Sequence, residues 1–316
     1  MSSADTLAPL PSSRFVPWLK LIRISAAPTA ISNILVGFLL VHAGWSPVVP
    51  LIWLIAGSFF LYSAGMVSND IIDISTDKKN QRHRPLVEGL IGLRQARYVC
   101  MVLFLLGIIC PLAVGGRALI IALLLAIAIL LYNGPLKRTW AGPIAMGSCR
   151  SLNVLLGASY LPQSVMVEST WLGWPPSVWW ISISLGILIT GLTYFAKNEA
   201  TVSNRWRLIV GAVIIMVGLT GFATSGLAAF NPPSRAGVFP LLIFLISAPV
   251  IIRLGLAIRS CQPRQVQFFV ISLLKSLIVY DASFCLLFGQ PDFSYALIVL
   301  SLLLPCIVLG RWISST

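Results

Sequence analysis

The amino-acid sequence predicts an all-α protein, a polytopic transmembrane bundle of nine to ten helices around a central cavity. Of the 316 residues, 58% are hydrophobic and only 10% are charged, whereas soluble domains carry about 25% charged residues. Apolar runs long enough to cross a bilayer, which takes about 20 residues, recur along the chain. Lys and Arg residues gather in alternate connections, as they do in membrane proteins.

Ten apolar segments are predicted to cross the membrane, although several are shorter than an ideal span. Because the links between them are short, we expect one domain over residues 26–312, preceded by an N-terminal cytoplasmic tail over residues 1–25. The predicted spans are 26–43, 49–68, 96–114, 117–133, 142–160, 175–196, 206–226, 237–257, 267–288 and 293–311.

The distribution of cations predicts the orientation of the chain. With the N-terminus placed in the cytoplasm, most of the 22 Lys and Arg residues lie inside, and the outside loops hold only Arg117 and Arg235. Arg311 then lies inside, which favours an even number of spans. The net charge of +13 is thus explained by cytoplasmic loops rather than by nucleic-acid binding. The expected location is a bacterial inner membrane or a plastid membrane.

The stretch "SNDIIDISTDKKNQRHRPLVEG", residues 68–89, concentrates acids in a chain that has only nine Asp and Glu. Asp70, Asp73 and Asp77 have i, i+3, i+7 spacing and share one face of a helix. Clustered carboxylates favour Mg²⁺ or Ca²⁺ over softer metals, and Mg²⁺ commonly combines one or two carboxylates with substrate phosphates. At a membrane interface this pattern predicts a substrate with an apolar tail and a phosphate head.

Cations next to these acids are the candidate phosphate-binding groups, since Arg recognises phosphate through paired hydrogen bonds. Some follow the acids directly, and others lie in "YNGPLKRTW", which is predicted to be on the same face. The alternative is that they are ordinary charges flanking helices in cytoplasmic loops. The candidates are Lys78, Arg82, Arg84, Tyr132, Lys137, Arg138 and Lys197.

A second loop predicted on the cytoplasmic side reads "TYFAKNEATVSNRWR". Four predicted spans separate it from the first. The spacing indicates a duplicated four-helix unit, because Asn198-Glu199 aligns with Asn69-Asp70. Apolar residues stand where the later acids of the first loop would fall. The second loop therefore retains one acid, Glu199, beside the cation Lys197.

Polar residues also occur inside predicted spans, where they are costly and usually functional. "MGSCRSLNVLLG" carries Arg150 and Asn153 on one helix face, Asn33 lies in the first span, and Asp281 lies in "VYDAS". Asp281 is a candidate to pair with Arg150 across the bundle. A structural ion pair and a role in binding a substrate are both open at this point.

The segments "NDIIDISTD", "NQRHRPLVEG" and "YNGPLKR", in this order, resemble the UbiA family of intramembrane prenyltransferases. The resemblance implies Mg²⁺-dependent transfer of a prenyl group from a prenyl diphosphate to a hydrophobic or aromatic acceptor within the bilayer. Positive charge would draw off the diphosphate and leave a carbocation-like carbon for the acceptor to attack. The resemblance assigns metal binding to Asn69, Asp70, Asp73 and Asp77, and catalysis to Asp70, Asp73, Lys137 and Glu199.

The chain departs from the family pattern in its second acidic motif, where Lys197, Asn198 and Glu199 replace a cluster of Asp. Together "MGSCRSLN", "AKNEA" and "VYDAS" resemble the EboC-like branch, which is linked with bacterial gene clusters for small-molecule export or modification. Two alternatives to an enzyme follow: a carrier or flippase for an amphipathic molecule, and a structural subunit of a biosynthetic complex. Asn33, Arg150, Asn153 and Asp281 would bind the acceptor or support the bundle.

Overall fold

A computed structural model of the protein describes residues 15–79, 81, 83–161, 172–197, 202–228, 233–289 and 292–313. These residues form helices and connections with no β-strand among them, which confirms the all-α prediction. The helices are α1 Val16–Leu21, α2 Pro28–His42, α3 Val48–Lys79, α4 Leu93–Leu112, α5 Gly116–Leu131, α6 Gly142–Gly157, α7 Pro176–Ala196, α8 Arg205–Ala223, α9 Phe239–Ser260, α10 Pro263–Phe288, α11 Ser294–Ser301 and α12 Leu303–Trp312.

Within these ranges, nine stretches are long and apolar enough to cross a membrane, so the protein is an integral multi-pass membrane protein. They match nine of the ten predicted spans. The remaining one, predicted at 142–160, is the 16-residue helix α6, which is too short for that criterion. The last predicted span consists of two helices, α11 and α12, that are interrupted at Leu302.

Helix α3 is much longer than the span predicted at 49–68. Its 32 residues extend for about 48 Å at 1.5 Å per residue, whereas the hydrocarbon core of a bilayer is about 30 Å thick. The helix therefore continues beyond the apolar layer and carries its last turns, with the acids, into the interface.

The start of the chain differs from the predicted tail over 1–25. Residues 16–21 form α1, and Leu21 is fully buried against Val67, Leu86 and Ile91. This small apolar cluster lies at the end of α3 that carries the acids, and it ties the loop after α3 to the N-terminal helix. Residues 1–14 lie outside the described part of the chain.

The long helices form a closed bundle in which each helix from α2 to α10 packs on the next, and α10 packs on α2. Helix α2 also packs across the bundle on α6 and is buried along nearly its whole length. Large apolar side chains such as Leu105, Ile127 and Phe244 are exposed on the outside. This outward apolar surface is the one a bilayer would cover.

Glycines allow α2 and α6 to cross at close range. A Cβ atom on Gly37 would lie 2.1 Å from the carbonyl oxygen of Val154, and one on Gly157 would lie 2.4 Å from that of Ile34. Small residues let membrane helices approach in this way. The crossing brings the polar side chains on the adjacent turns of both helices within hydrogen-bonding distance.

We expect Gly37→Ala to lower the thermal unfolding midpoint of the purified protein, because the new methyl group would push the α2 and α6 backbones apart. Overpacking of this kind costs about 1–3 kcal/mol. The matched control is Gly255→Ala in α9, where a Cβ atom would meet nothing within 4 Å. The control should leave the midpoint unchanged or raise it slightly, and equal midpoints for the two variants would contradict the expectation.

Candidate functional site

The three acids lie on successive turns at the end of α3, as their spacing predicts. Asp70 and Asp77 are buried, with 4% and 1% of their surface exposed, and Asp73 is partly buried. Buried carboxylates are costly unless they are paired with cations. The chain supplies these cations from three other segments.

Two arginines contact the more deeply buried acids. Arg84 donates a hydrogen bond to Asp70, and its Nη1 atom lies 3.2 Å from Oδ2 of Asp77. The Nη2 atom of Arg23 lies 3.4 Å from Oδ1 of Asp70. Nothing in the sequence pattern distinguishes Arg23 from a cation that flanks a helix, so this contact is new information from the structure.

Lys137 pairs with the third acid. Its ammonium contacts Oδ2 of Asp73 and lies 2.5 Å from Oδ1 of Asn69. The next residue, Arg138, donates to the Thr76 hydroxyl at 3.2 Å. The loop after α5 is thus bound to the acidic end of α3, as expected for two parts of one site.

Asn133 fixes the position of this loop. Residues Tyr132–Leu136 form a π-helical turn, a feature that is frequent at functional sites. From this turn the Asn133 amide donates to the Gly65 carbonyl at 2.9 Å and to the Ser68 hydroxyl at 2.6 Å. Asn133 was not predicted as a site residue, although it stands in the conspicuous string "YNGPLKR".

The acids do not gather around one point. Among the described residues, no three His, Cys, Asp or Glu side chains are placed to hold a metal ion together. Arg84 lies between Asp70 and Asp77. All three Asp are paired with cations of the protein, and metal binding by Asp70, Asp73 and Asp77 stays a prediction.

The other predicted phosphate-binding residues vary in their positions. Lys78 is exposed, and Tyr132 lines a cavity below the acids. Lys197 reaches the loop after α5, where its Nζ atom lies 3.3 Å from the Thr139 carbonyl oxygen. Arg82, Asn198 and Glu199 lie outside the described residues.

A cavity of about 350 Å³ opens beside the acids. Arg23, the partner of Asp70, lines it near the acids, and α2, α3, α5, α6, α7 and α10 contribute its walls. Most of the wall is apolar. The polar exceptions include Tyr62, Arg150 and Asn153.

Polar residues in the middle of the bundle are linked to one another. Arg150 donates to Oδ1 of Asn33 at 3.2 Å, and the Asn33 amide donates to Asp281 at 2.8 Å. The predicted pair of Arg150 and Asp281 is therefore connected through Asn33 rather than by direct contact. Asn153 donates to the Ala30 carbonyl at 2.8 Å and accepts from Ser58 at 2.7 Å.

Comparison with known proteins gives several matches. Residues 30–264 match the UbiA prenyltransferase family. A digeranylgeranylglyceryl phosphate synthase of Saccharolobus solfataricus is 32% identical over 142 residues, 44% of this chain and 50% of that protein. A 4-hydroxybenzoate octaprenyltransferase of Cronobacter sakazakii is 23% identical over 223 residues, 63% of this chain and 73% of that protein. The chain spans about half the length of the synthase.

Solved structures share the fold. A UbiA homologue from Aeropyrum pernix matches with a TM-score of 0.62 and 18% identity over 81% of this chain and 96% of its own. A UbiA homologue from Archaeoglobus fulgidus bound to DMAPP and Mg²⁺ matches with a TM-score of 0.59 and 17% identity over 90% and 99%. Since the family match also covers most of the sequence, the chain belongs to the UbiA prenyltransferase family.

Proposed function

We propose that the protein transfers a prenyl group from a prenyl diphosphate to an acceptor in a Mg²⁺-dependent reaction within the membrane. The observation that carries this proposal is a cluster of paired charges beside an apolar cavity. Arg84 donates to Asp70, and Lys137 contacts Asn69 and Asp73. The names of the relatives, both prenyl-transferring enzymes, support the reaction class. The DMAPP and Mg²⁺ bound to the Archaeoglobus homologue support the donor and the metal.

The residues present fit a magnesium ion. The Lys137 ammonium lies between Oδ1 of Asn69 and Oδ2 of Asp73, so a cation already sits between these two oxygen atoms. Mg²⁺ prefers such ligands and completes its shell with phosphate oxygens and water. We assign metal binding to Asn69, Asp70 and Asp73, and we assign Asp77 to its pair with Arg84. The metal would supply positive charge for the departing diphosphate.

The cations of the site have a second role in this proposal. In this structure Lys137 and Arg84 neutralise the acids, and with substrate bound they would turn to the diphosphate. Their positive charge would then stabilise the negative charge that grows on the leaving group. The apolar cavity wall would keep water away from the electron-deficient allylic carbon.

We further infer that the acceptor is aromatic, which the name of the Cronobacter relative, a 4-hydroxybenzoate octaprenyltransferase, supports.

We also infer that the N-terminus faces the cytoplasm. The ends of α3, α5 and α7 meet through Lys137 and Lys197, so most of the cationic loops lie at one end of the bundle. Positively charged loops remain in the cytoplasm. We infer that the protein belongs to the EboC-like branch of the family and lies in a bacterial inner membrane. This inference rests on the sequence strings that contain Arg150, Lys197 and Asp281.

Asp70→Asn and Asp73→Asn should each reduce diphosphate release about 100-fold or more, since each removes a carboxylate that would hold the Mg²⁺ ion beside the leaving diphosphate. Release is measured from purified protein with Mg²⁺, prenyl diphosphates of several lengths and a panel of acceptors. The control is Asp292→Asn, which removes an exposed carboxylate at the other end of the bundle. A wild type that binds prenyl diphosphate but releases none would support a carrier instead.

Lys137→Gln should raise the affinity for Mn²⁺ in the absence of diphosphate about tenfold, because it removes a cation that competes for Asn69 and Asp73. The same change should weaken binding of prenyl diphosphate in the presence of metal. Electron paramagnetic resonance of free Mn²⁺ measures the first effect, and equilibrium dialysis measures the second. Lys79→Gln, an exposed lysine at the end of α3, is the control, and equal Mn²⁺ affinities for both variants would contradict the assignment.

A further inference from the structure

The polar cluster in the middle of the bundle has no part in the metal and diphosphate site. We propose that Arg150 binds an anionic group of the acceptor, a carboxylate or a phosphate, and that Asn33 and Asp281 position it. The inference rests on the proposed function, because it names the chemical class of the acceptor.

Arg150 lies on the wall of the 350 Å³ cavity and is held by α2. Its Nη1 atom donates to the Thr29 carbonyl at 3.1 Å and to Oδ1 of Asn33 at 3.2 Å, and its Nη2 atom donates to the Thr29 hydroxyl at 3.0 Å. All three acceptors are neutral. The positive charge of the guanidinium is therefore oriented by its partners but is not cancelled by contact with an acid.

Two N–H groups of Arg150 remain for a ligand. Nη1 donates two hydrogen bonds and Nη2 donates one, which leaves Nε–H and one Nη2–H without a partner among the described residues. These two groups form the edge of the guanidinium that binds carboxylate or phosphate through two parallel hydrogen bonds. The edge therefore matches an anion that enters from the cavity.

Asp281 lies behind the cavity wall and positions Asn33. It is 3% exposed and is not among the residues that line the cavity. Its Oδ2 atom accepts from the Ser32 hydroxyl at 2.5 Å and from the Asn33 amide at 2.8 Å. This second bond fixes the Asn33 side chain, because a flipped amide would turn its oxygen toward the carboxylate and its N–H₂ toward the guanidinium.

A purely structural ion pair would bring the acid and the guanidinium into direct contact, since a buried charge is most stable beside its counter-ion. Here Asn33 separates them, with the positive group on the cavity and the negative group behind it. Two charges are buried, as in a direct ion pair, but only the positively charged side chain lines the cavity. Such an arrangement favours an anion inside the cavity.

The cavity wall thus has two arginines with different partners. The Arg23 side chain contacts Asp70, whereas the Arg150 side chain is bound to Thr29 and Asn33 of α2. Tyr62 of α3 lines the same cavity, and its hydroxyl donates to the Arg23 backbone carbonyl at 3.2 Å. One anionic group, the diphosphate, is proposed near Asp70. A second anion in the same cavity would be repelled by the first unless a separate cation held it, and Arg150 is in position to do so.

The experiment compares three small aromatic probes that differ in one group: benzoate, phenyl phosphate and the neutral benzamide. Their binding to full-length protein in lipid nanodiscs is measured by equilibrium dialysis, with no turnover required. Wild type should bind benzoate or phenyl phosphate about 10- to 100-fold more tightly than benzamide, the range for a charge-assisted hydrogen bond. The tighter of the two anions distinguishes a carboxylate acceptor from a phosphate acceptor.

Arg150→Gln should abolish the preference for the anion, Arg150→Lys should retain part of it, and Asp281→Asn should weaken it. The control is Arg253→Gln, which removes an intramembrane arginine from the exposed surface of α9. Binding of prenyl diphosphate with Mg²⁺, measured on the same samples, should stay at the wild-type level in all four variants and so shows that they are folded.

The proposal would be overturned if the anion preference survives in Arg150→Gln. It would equally be overturned if wild type has no preference for either anion, or if wild type binds none of the probes at millimolar concentration. An anion preference lost in Arg150→Gln, in a protein that releases no diphosphate, would leave the anion site standing while the transferase proposal fails. The two proposals therefore fail separately.

Discussion

Charge pairing at the end of α3 is the interaction on which the arrangement of this protein depends. Three carboxylates on one face of one helix repel each other, and two of them are almost completely buried. They are stable only because Arg23, Arg84 and Lys137 reach them from three separate segments of the chain. The connection between α1 and α2, the loop after α3 and the loop after α5 are thereby held at one place, beside the cavity.

The close crossing of α2 and α6 is the second condition for the site. Gly37 and Gly157 allow the two backbones to touch, and on the adjacent turns Asn33 then meets Arg150 while Asn153 meets Ala30. Backbone carbonyl groups of α2 accept hydrogen bonds from α6 only at this short separation. The apolar packing of the two helices and the polar lining of the cavity therefore result from the same contact.

The sequence predicts the helices and the acids well because these features are local. Span length and hydrophobicity correctly locate the nine long apolar helices within the described ranges, and the Asp spacing predicts the common face of the acids. Arg23 and Asn133 escape prediction because no local pattern distinguishes them from other polar loop residues, and their partners are 47 and 68 residues away. The sequence makes Asp281 a candidate to pair with Arg150, but a sequence pattern cannot show that Asn33 lies between them. The length of α6 and the break in the last span also depend on packing rather than on hydrophobicity.

The π-helical turn at Tyr132–Leu136 restricts how the chain can change in evolution or by engineering. Asn133 within this turn and Lys137 directly after it are both bound to α3, so the number of residues between them must match the spacing of Ser68 and Asp73. A deleted residue would shift Lys137 relative to Asn133 and separate it from its acid. Loops with no such double attachment can vary in length, whereas this short segment must keep both its length and the two side chains that contact α3.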